Sequence, residues 1–212
     1  MKNYKLDLAF LDMLFNMTLA FSFLFLMSFL LIRPPAAKED AALKPKAEFI
    51  ISLSWPDESL DDQDLWVKLP NGKIISYGSK DLGYAILDRD DRGTVSNFYM
   101  DKNGKMQLIK QRNEIVTIRT LMPGRYVVNV YCFSVNSTWA EFKNPHDLPY
   151  PVSVSLTKVN PTLSEIIKVE KPMKKLGDQL TMFAFTVGED GQIVSVEQDV
   201  DEPFISKFAI PQ

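Results

Sequence analysis

Apolar positions fall into two regimes along the chain. Residues 13–32 form a run of 20 residues without a charge, in which Asn16, Thr18, Ser22 and Ser28 are the only hydroxyl or amide side chains. At about 1.5 Å per residue, a helix of this length covers about 30 Å, the thickness of a bilayer hydrocarbon core. Arg33-Pro34-Pro35 follows, and proline ends a helix because it lacks the N–H the next turn needs. The pattern predicts one transmembrane helix over residues 8–32, after a short N-terminus at 1–7. The competing reading is a cleaved signal peptide. Its apolar run is ordinarily about 7–15 residues and closes on a small-residue site. This run is longer and closes on Ser28-Phe-Leu-Leu-Ile-Arg33.

From residue 47 the period changes to two. Phe49, Ile51, Leu53 and Trp55 alternate with polar neighbours, as do Leu65, Val67 and Leu69, then Tyr126, Val128, Val130 and Cys132, then Val152, Val154 and Leu156. Residues 180–187 and 192–198 add two segments. Asn71-Gly72, Asn103-Gly104, Pro123-Gly124 and Asp190-Gly191 punctuate the chain as turns. Many short alternating segments with such turns predict an all-β antiparallel sandwich over residues 47–201. The last strands complete its sheets, because about 50 residues make a poor independent domain. Residues 33–46, with Pro34, Pro35 and Pro45, read as an extended linker. Residues 202–212 read as a loosely attached tail. Trp55 and Trp66 are expected in the core or at a sheet edge.

Composition adds exclusions. The 212 residues hold 24 Lys+Arg, 27 Asp+Glu, one His and one Cys. A net charge of -3 gives no reason to expect nucleic acid as a partner. One Cys excludes an intramolecular disulfide, and one His excludes an all-histidine metal site. Cys132 is on the apolar phase of its strand and is expected buried and inert; His146 is expected in a loop. The chain has no Gly-rich phosphate loop, nucleophile elbow or metalloprotease motif, so no enzymatic activity is expected. The mean hydropathy of -0.08 averages an apolar helix with a polar-surfaced domain.

Asp12 stands out. It lies about one turn inside the apolar stretch, where a carboxylate is costly unless it faces protein, water or a proton. Ala9, Asn16 and Ala20 share its helix face, a small and partly polar stripe suited to packing against other helices. Two readings remain open from the residues. Asp12 is either an interfacial acid near the helix start, favoured by the dipole, or an ion carrier. Lys2 and Lys5 before the helix, and Arg33, Lys38, Lys44 and Lys46 after it, leave the orientation undecided.

A short basic N-terminus, one transmembrane helix with a single Asp near its start, and a following external domain resemble the B subunits of ion-driven membrane motors (MotB, ExbD, TolR). The stretch that carries this resemblance is Ala9-Phe-Leu-Asp12-Met-Leu-Phe-Asn16-Met-Thr18. The resemblance implies that Asp12 carries a transported ion, H⁺ or Na⁺. It also implies multi-pass A-type subunits (MotA, ExbB or TolQ-like) as partners, a second copy of the chain, and an unidentified envelope partner for the external domain. The implied location is the bacterial inner membrane, with the N-terminus cytoplasmic and the C-terminal domain periplasmic. The other open function is a passively anchored periplasmic binding module.

A second resemblance lies in the β region. Asp62-Gln-Asp64-Leu-Trp-Val-Lys-Leu-Pro-Asn-Gly72, Leu87-Asp88-Arg-Asp90-Asp91, Pro123-Gly124-Arg-Tyr126 and Leu180-Thr-Met-Phe-Ala-Phe are similar to the YfaP-like bacterial β-sandwich family. This implies an extracytoplasmic sandwich and no defined activity. Acids cluster at 57–64 and again at 88–91. Oxygen ligands on loop ends suit Ca²⁺, with Asp62, Asp64, Asp88 and Asp90 as candidate ligands. The other reading gives these acids turn and salt-bridge roles, with Arg89 and Arg92 as counterions.

Overall fold

The computed structural model describes residues 4–31, 47–95 and 97–205. The chain divides into an N-terminal helical unit and a β-rich unit. The helical unit is one helix, α1 (Tyr4–Leu31). It includes residues 4–7 of the short N-terminal segment that precedes the expected span. Within it, Leu8–Phe29 is long and apolar enough to cross a membrane, and every side chain over 8–29 is exposed. The linker expected at 33–46 and residues 206–212 of the expected tail lie outside the described residues.

The β-rich unit is the antiparallel sandwich that the period-two pattern predicts. Its strands are β1 (Phe49–Trp55), β2 (Asp62–Lys68), β3 (Ile74–Ile75), β4 (Ala85–Arg89), β5 (Phe98–Met100), β6 (Met106–Leu108), β7 (Arg112–Ile118), β8 (Gly124–Ser134), β9 (Thr138–Trp139), β10 (Phe142–Lys143), β11 (Tyr150–Lys158), β12 (Ser164–Met173), β13 (Gln179–Val187) and β14 (Ile193–Glu197). One five-stranded sheet runs β12-β11-β1-β7-β4 and the other β14-β13-β8-β2-β3, with β5–β6 and β9–β10 as small ribbons. The late strands β11 and β13 thus complete both sheets.

The core follows from the alternation. Phe49, Ile51, Leu53 and Trp55 of β1 point inward with Leu65 and Val67 of β2, Val128 and Val130 of β8, and Phe183 and Phe185 of β13. Each such burial is worth about 1.5–3 kcal/mol. Tyr126 stacks on Phe185 at 4.7 Å, and its hydroxyl donates to the Met122 carbonyl at 2.9 Å, the corner device of Greek-key sandwiches. Trp55 is buried in this core, and Trp66 is buried against Tyr77.

Strands β4, β7 and β12 are not foreshadowed by the apolar pattern. The inward positions of β7 are Arg112, Glu114, Val116 and Ile118, so its stripe is half charged. On β12 only Ile167, Val169 and Met173 are buried, as suits an edge strand with one wet face. The expected tail also differs. Glu202–Ile205 run across the outer face of the second sheet. The Glu202 N–H donates to Thr181 Oγ1 (3.0 Å), the Phe204 N–H donates to Gln179 Oε1 (2.8 Å), and Arg125 pairs with the Glu202 carboxylate at 2.6 Å. The domain therefore extends at least to Ile205, because these part-buried backbone groups have partners on the sheet.

Candidate functional site

Two groups of carboxylates stand apart from ordinary surface acids. The first is Asp12 on α1. Asn16, one turn on, donates its amide to the Asp12 carbonyl at 3.0 Å and lies 3.3 Å from Asp12 Oδ1. Thr18 bonds back to the Leu14 carbonyl at 2.8 Å. Asn16 and Thr18 are thus tied to the helix's own backbone, the usual recourse where water is absent. Ala9, Asn16 and Ala20 lie along the Asp12 side of α1.

The second group sits at an edge of the sandwich and begins with an interrupted ladder. β3 pairs with β2 only at Val67↔Ile75 and Lys68↔Ile74, so the first half of β2 has no β3 partner on that side. Glu114, from the inward phase of β7, reaches this opening. Its Oε2 accepts the Leu65 N–H at 2.7 Å and its Oε1 accepts the Asp91 N–H at 3.3 Å. One carboxylate thereby replaces the missing strand and joins β2 to the loop after β4.

Gly93 holds that loop in place. Its φ is +61°, and a Cβ there would lie 2.5 Å from the Leu60 carbonyl oxygen, so no other residue fits without displacing backbone. Asp91, fully buried, anchors the same turn. It accepts the Gly93 N–H at 3.2 Å and the Asn97 amide, and it pairs with Arg89 at 3.1 Å. The guanidinium of Arg112, also fully buried, lies 3.7 Å from Asp91 and donates to the Ser59 carbonyl. Burial lowers the Arg112 pKa and the Asp91 charge opposes that shift.

Asp61 is a structural hub. It accepts from the Asn136 N–H (2.9 Å), the Asn144 amide (2.9 Å) and the Tyr150 hydroxyl (2.7 Å), tying the 134–150 loop to β2. Next to it, Asp62 and Asp64 accept no such set of hydrogen bonds among the described residues, although the Trp66 side chain lies close enough to Asp64 to oppose its upward shift. They line a cavity of about 350 Å³ together with Asp90, Lys80, Arg92, Tyr77 and Phe133. One carboxylate oxygen of Asp62, one of Asp64 and one of Asp90 are buried without a hydrogen-bond partner. Asp62 is 6% exposed and Asp64 3%. Ligand atoms of Asp62, Asp64 and Glu114 all lie within 4.8 Å of one another. Burial pushes the Asp62 carboxyl up to about 7, helped by the Asp90 and Asp91 charges, and pushes Asp64 up to about 8, helped by Asp62. Glu114 is raised well above the carboxylate range, again chiefly by burial and then by Asp64. Three acids in one desolvated space are harder to ionise than free carboxylates, because burial and mutual repulsion both disfavour the charged forms.

The structure therefore brings Asp62, Asp64 and Asp90 together, as the acid clusters suggested, but it removes Asp88 and adds Glu114. Asp88 is two residues before Asp90 on the outward phase of β4; it is exposed and lies 3.2 Å from Arg119. Glu114 was hidden in Arg112-Asn113-Glu114, which reads as surface. Arg89 serves as a counterion within the second acid cluster, to Asp91. Cys132 is buried, receives the Gln63 amide at 3.3 Å, and has its thiol pushed up to about 11 by burial, which suppresses thiolate chemistry. His146 is in a loop, its Nε2 2.9 Å from the Asp57 carbonyl oxygen.

No family model, no curated protein and no solved structure matches this chain.

Proposed function

We propose that this chain is the single-pass, ion-carrying subunit of an ion-driven membrane assembly, with Asp12 as the carboxylate that loads and releases H⁺ or Na⁺. The carrying observation is Asp12 itself: an acid within the apolar span Leu8–Phe29, with the Asn16 amide against it one turn on. Ionisable groups at such depth are costly and mark ion paths. Loading neutralises the group. The charged acid favours a polar surface on a neighbouring helix, and the neutral acid tolerates an apolar one. Alternating the two drives movement of one helix surface past the other. In this reading multi-pass A-type subunits surround a pair of α1 helices, the N-terminus is cytoplasmic, and the periplasmic sandwich transmits force or binds an envelope partner.

The test is purification of the chain with its membrane partners, reconstitution into vesicles carrying a pH-sensitive or Na⁺-sensitive dye, and application of a membrane potential. Ion flux is expected with Asp12, lost with Asp12→Asn and retained in part with Asp12→Glu, while all three assemble equally. Undiminished flux in Asp12→Asn, or the absence of any multi-pass protein from the purified material, refutes it.

The acidic cavity favours a second reading, a membrane-tethered binding module with a passive anchor. Its unpartnered carboxylate oxygens lie beside the Tyr77 and Phe133 rings, whose centroids are 5.7 Å apart. Under that reading Asp12→Asn is silent and substitutions in the cavity abolish function.

A further inference from the structure

We propose that Asp62, Asp64, Asp90 and Glu114 form a calcium site at the open edge of β2. The site is independent of whatever Asp12 does. Its first support is the set of unpartnered oxygens. A buried carboxylate oxygen normally has a hydrogen-bond partner, and three here, one each on Asp62, Asp64 and Asp90, have none. Asp61 and Asp91, next in sequence to Asp62 and Asp90, are comparably buried yet accept several hydrogen bonds each. The chain therefore has the means to satisfy carboxylates at this end of the sandwich and leaves one oxygen on each of these three cavity-lining acids without a partner.

Spacing is the second support. Ligand atoms of Asp62, Asp64 and Glu114 fall within 4.8 Å of one another. Two oxygens on opposite sides of a calcium ion, each at about 2.3–2.6 Å from it, are separated by about 5 Å. The three acids can thus share one ion without rearranging the strands. Glu114 retains free lone pairs, because each of its oxygens accepts a single N–H.

Charge is the third. Three carboxylates line the cavity with two cations, Lys80 and Arg92, and Glu114 adds a fourth beside Asp62 and Asp64. Lys80 pairs with Asp90 Oδ2 at 2.5 Å and leaves Oδ1 of that residue unpartnered. When all four acids ionise, a surplus of two negative charges remains, the charge of one divalent ion. The donor set is all oxygen, with Cys132 and His146 engaged elsewhere, which selects a hard cation over zinc or copper. Calcium is favoured over magnesium because it accepts several carboxylates in irregular geometry and magnesium prefers to keep its waters. A cavity of about 350 Å³ leaves room for waters to complete the coordination.

The experiment uses the full chain in detergent, stripped with chelator, and titrates CaCl₂ by calorimetry and by thermal unfolding. Binding of one ion per chain with a rise in Tm is expected. Asp64→Asn and Asp62→Asn should each weaken binding at least about tenfold. Both variants remove a repelling charge, so their chelator-treated forms should melt no lower than the wild type, which separates lost binding from lost folding. Asp88→Asn should bind as the wild type does. Absence of heat and of any Tm shift up to about 10 mM CaCl₂, beyond the weakest extracellular calcium modules, overturns the proposal. Unweakened binding in both Asp62→Asn and Asp64→Asn overturns the assignment of residues, and tighter binding of Mg²⁺ than of Ca²⁺ overturns the choice of ion.

Discussion

The two carboxylate groups of this protein differ in who supplies their surroundings. Asp12 lies on a helix whose side chains over 8–29 are all exposed, so no side chain among them shields it. Among the described residues its local partner is Asn16. Asp62, Asp64, Asp90 and Glu114 are placed by strands β2 and β7 and a glycine-fixed turn of the same chain. An acid of the first kind acquires its energetics from another molecule and is suited to switching between environments. Acids of the second kind are held in fixed geometry before any ligand arrives, which lowers the cost of binding. The contrast separates a moving contact from a preorganised one, and each of its halves can be perturbed without the other.

The largest stability effect should come from the scaffold behind the cavity. Arg112 is fully buried and faces the equally buried Asp91. Arg112→Leu leaves the buried Asp91 with Arg89 alone as its counterion, and removing one partner of a buried pair costs up to about 3–5 kcal/mol. Urea unfolding of the full chain in detergent should show this as a lower midpoint at unchanged slope. Asp12→Asn, measured alongside, should leave that midpoint where it is. A shift with Asp12→Asn would break the separation of the two groups.

Calcium should produce the next largest change, in the opposite direction. At a free concentration of about 100 Kd, an ion bound only by the folded state stabilises it by about 2.7 kcal/mol. In chelator the pH dependence should carry the same signature. Asp62 and Asp64 have folded pKa values raised to about 7 and about 8, above an unfolded value of about 3.9. Between those limits the folded chain binds more protons than the unfolded one. Stability is then highest below about pH 4 as far as these groups go, and falls as pH rises to about 8. Urea midpoints at about pH 5 and about pH 9 should fall in that order in chelator, and the drop should shrink when calcium is present. A midpoint that rises with pH in chelator would show the two acids already ionised and paired.

Much of this was legible from residue order, and the misses have physical causes. The charge-free run at 13–32 announced α1, because a membrane-length helix needs only composition. Strands β1, β8, β11 and β13 were legible because one face meets a dry core, so their apolar residues alternate. β7 was not, because Arg112 and Glu114 occupy inward positions that sequence reading reserves for apolar side chains. The same substitution hid the most connected acid of the site. Asp62, Asp64 and Asp90 were legible as acids at loop ends, but their phase was not. Residues two apart on a strand share a face only while the strand stays regular. β4 pairs with β7 through a register shift between Leu87 and Arg89, which places Asp88 and Asp90 in different surroundings.

That register shift yields the smallest and sharpest prediction. Asp88 and Asp90 are two residues apart and chemically identical, so any difference between them is a matter of placement. Asp88 is one third exposed and faces Arg119 across 3.2 Å, a surface pair worth about 0–1 kcal/mol. Asp90 is mostly covered, pairs with Lys80 and keeps one oxygen unsatisfied in the cavity. Asp88→Asn should therefore move the urea midpoint by no more than that surface value and leave the calcium isotherm unchanged, whereas Asp90→Asn should weaken the isotherm while costing little stability in chelator. Equal effects of the two on calcium would mean that the cation responds to the general acidity of the loop rather than to a built site. A loss with Asp88→Asn alone would mean that the β4 bulge relaxes on binding and turns the other acid inward.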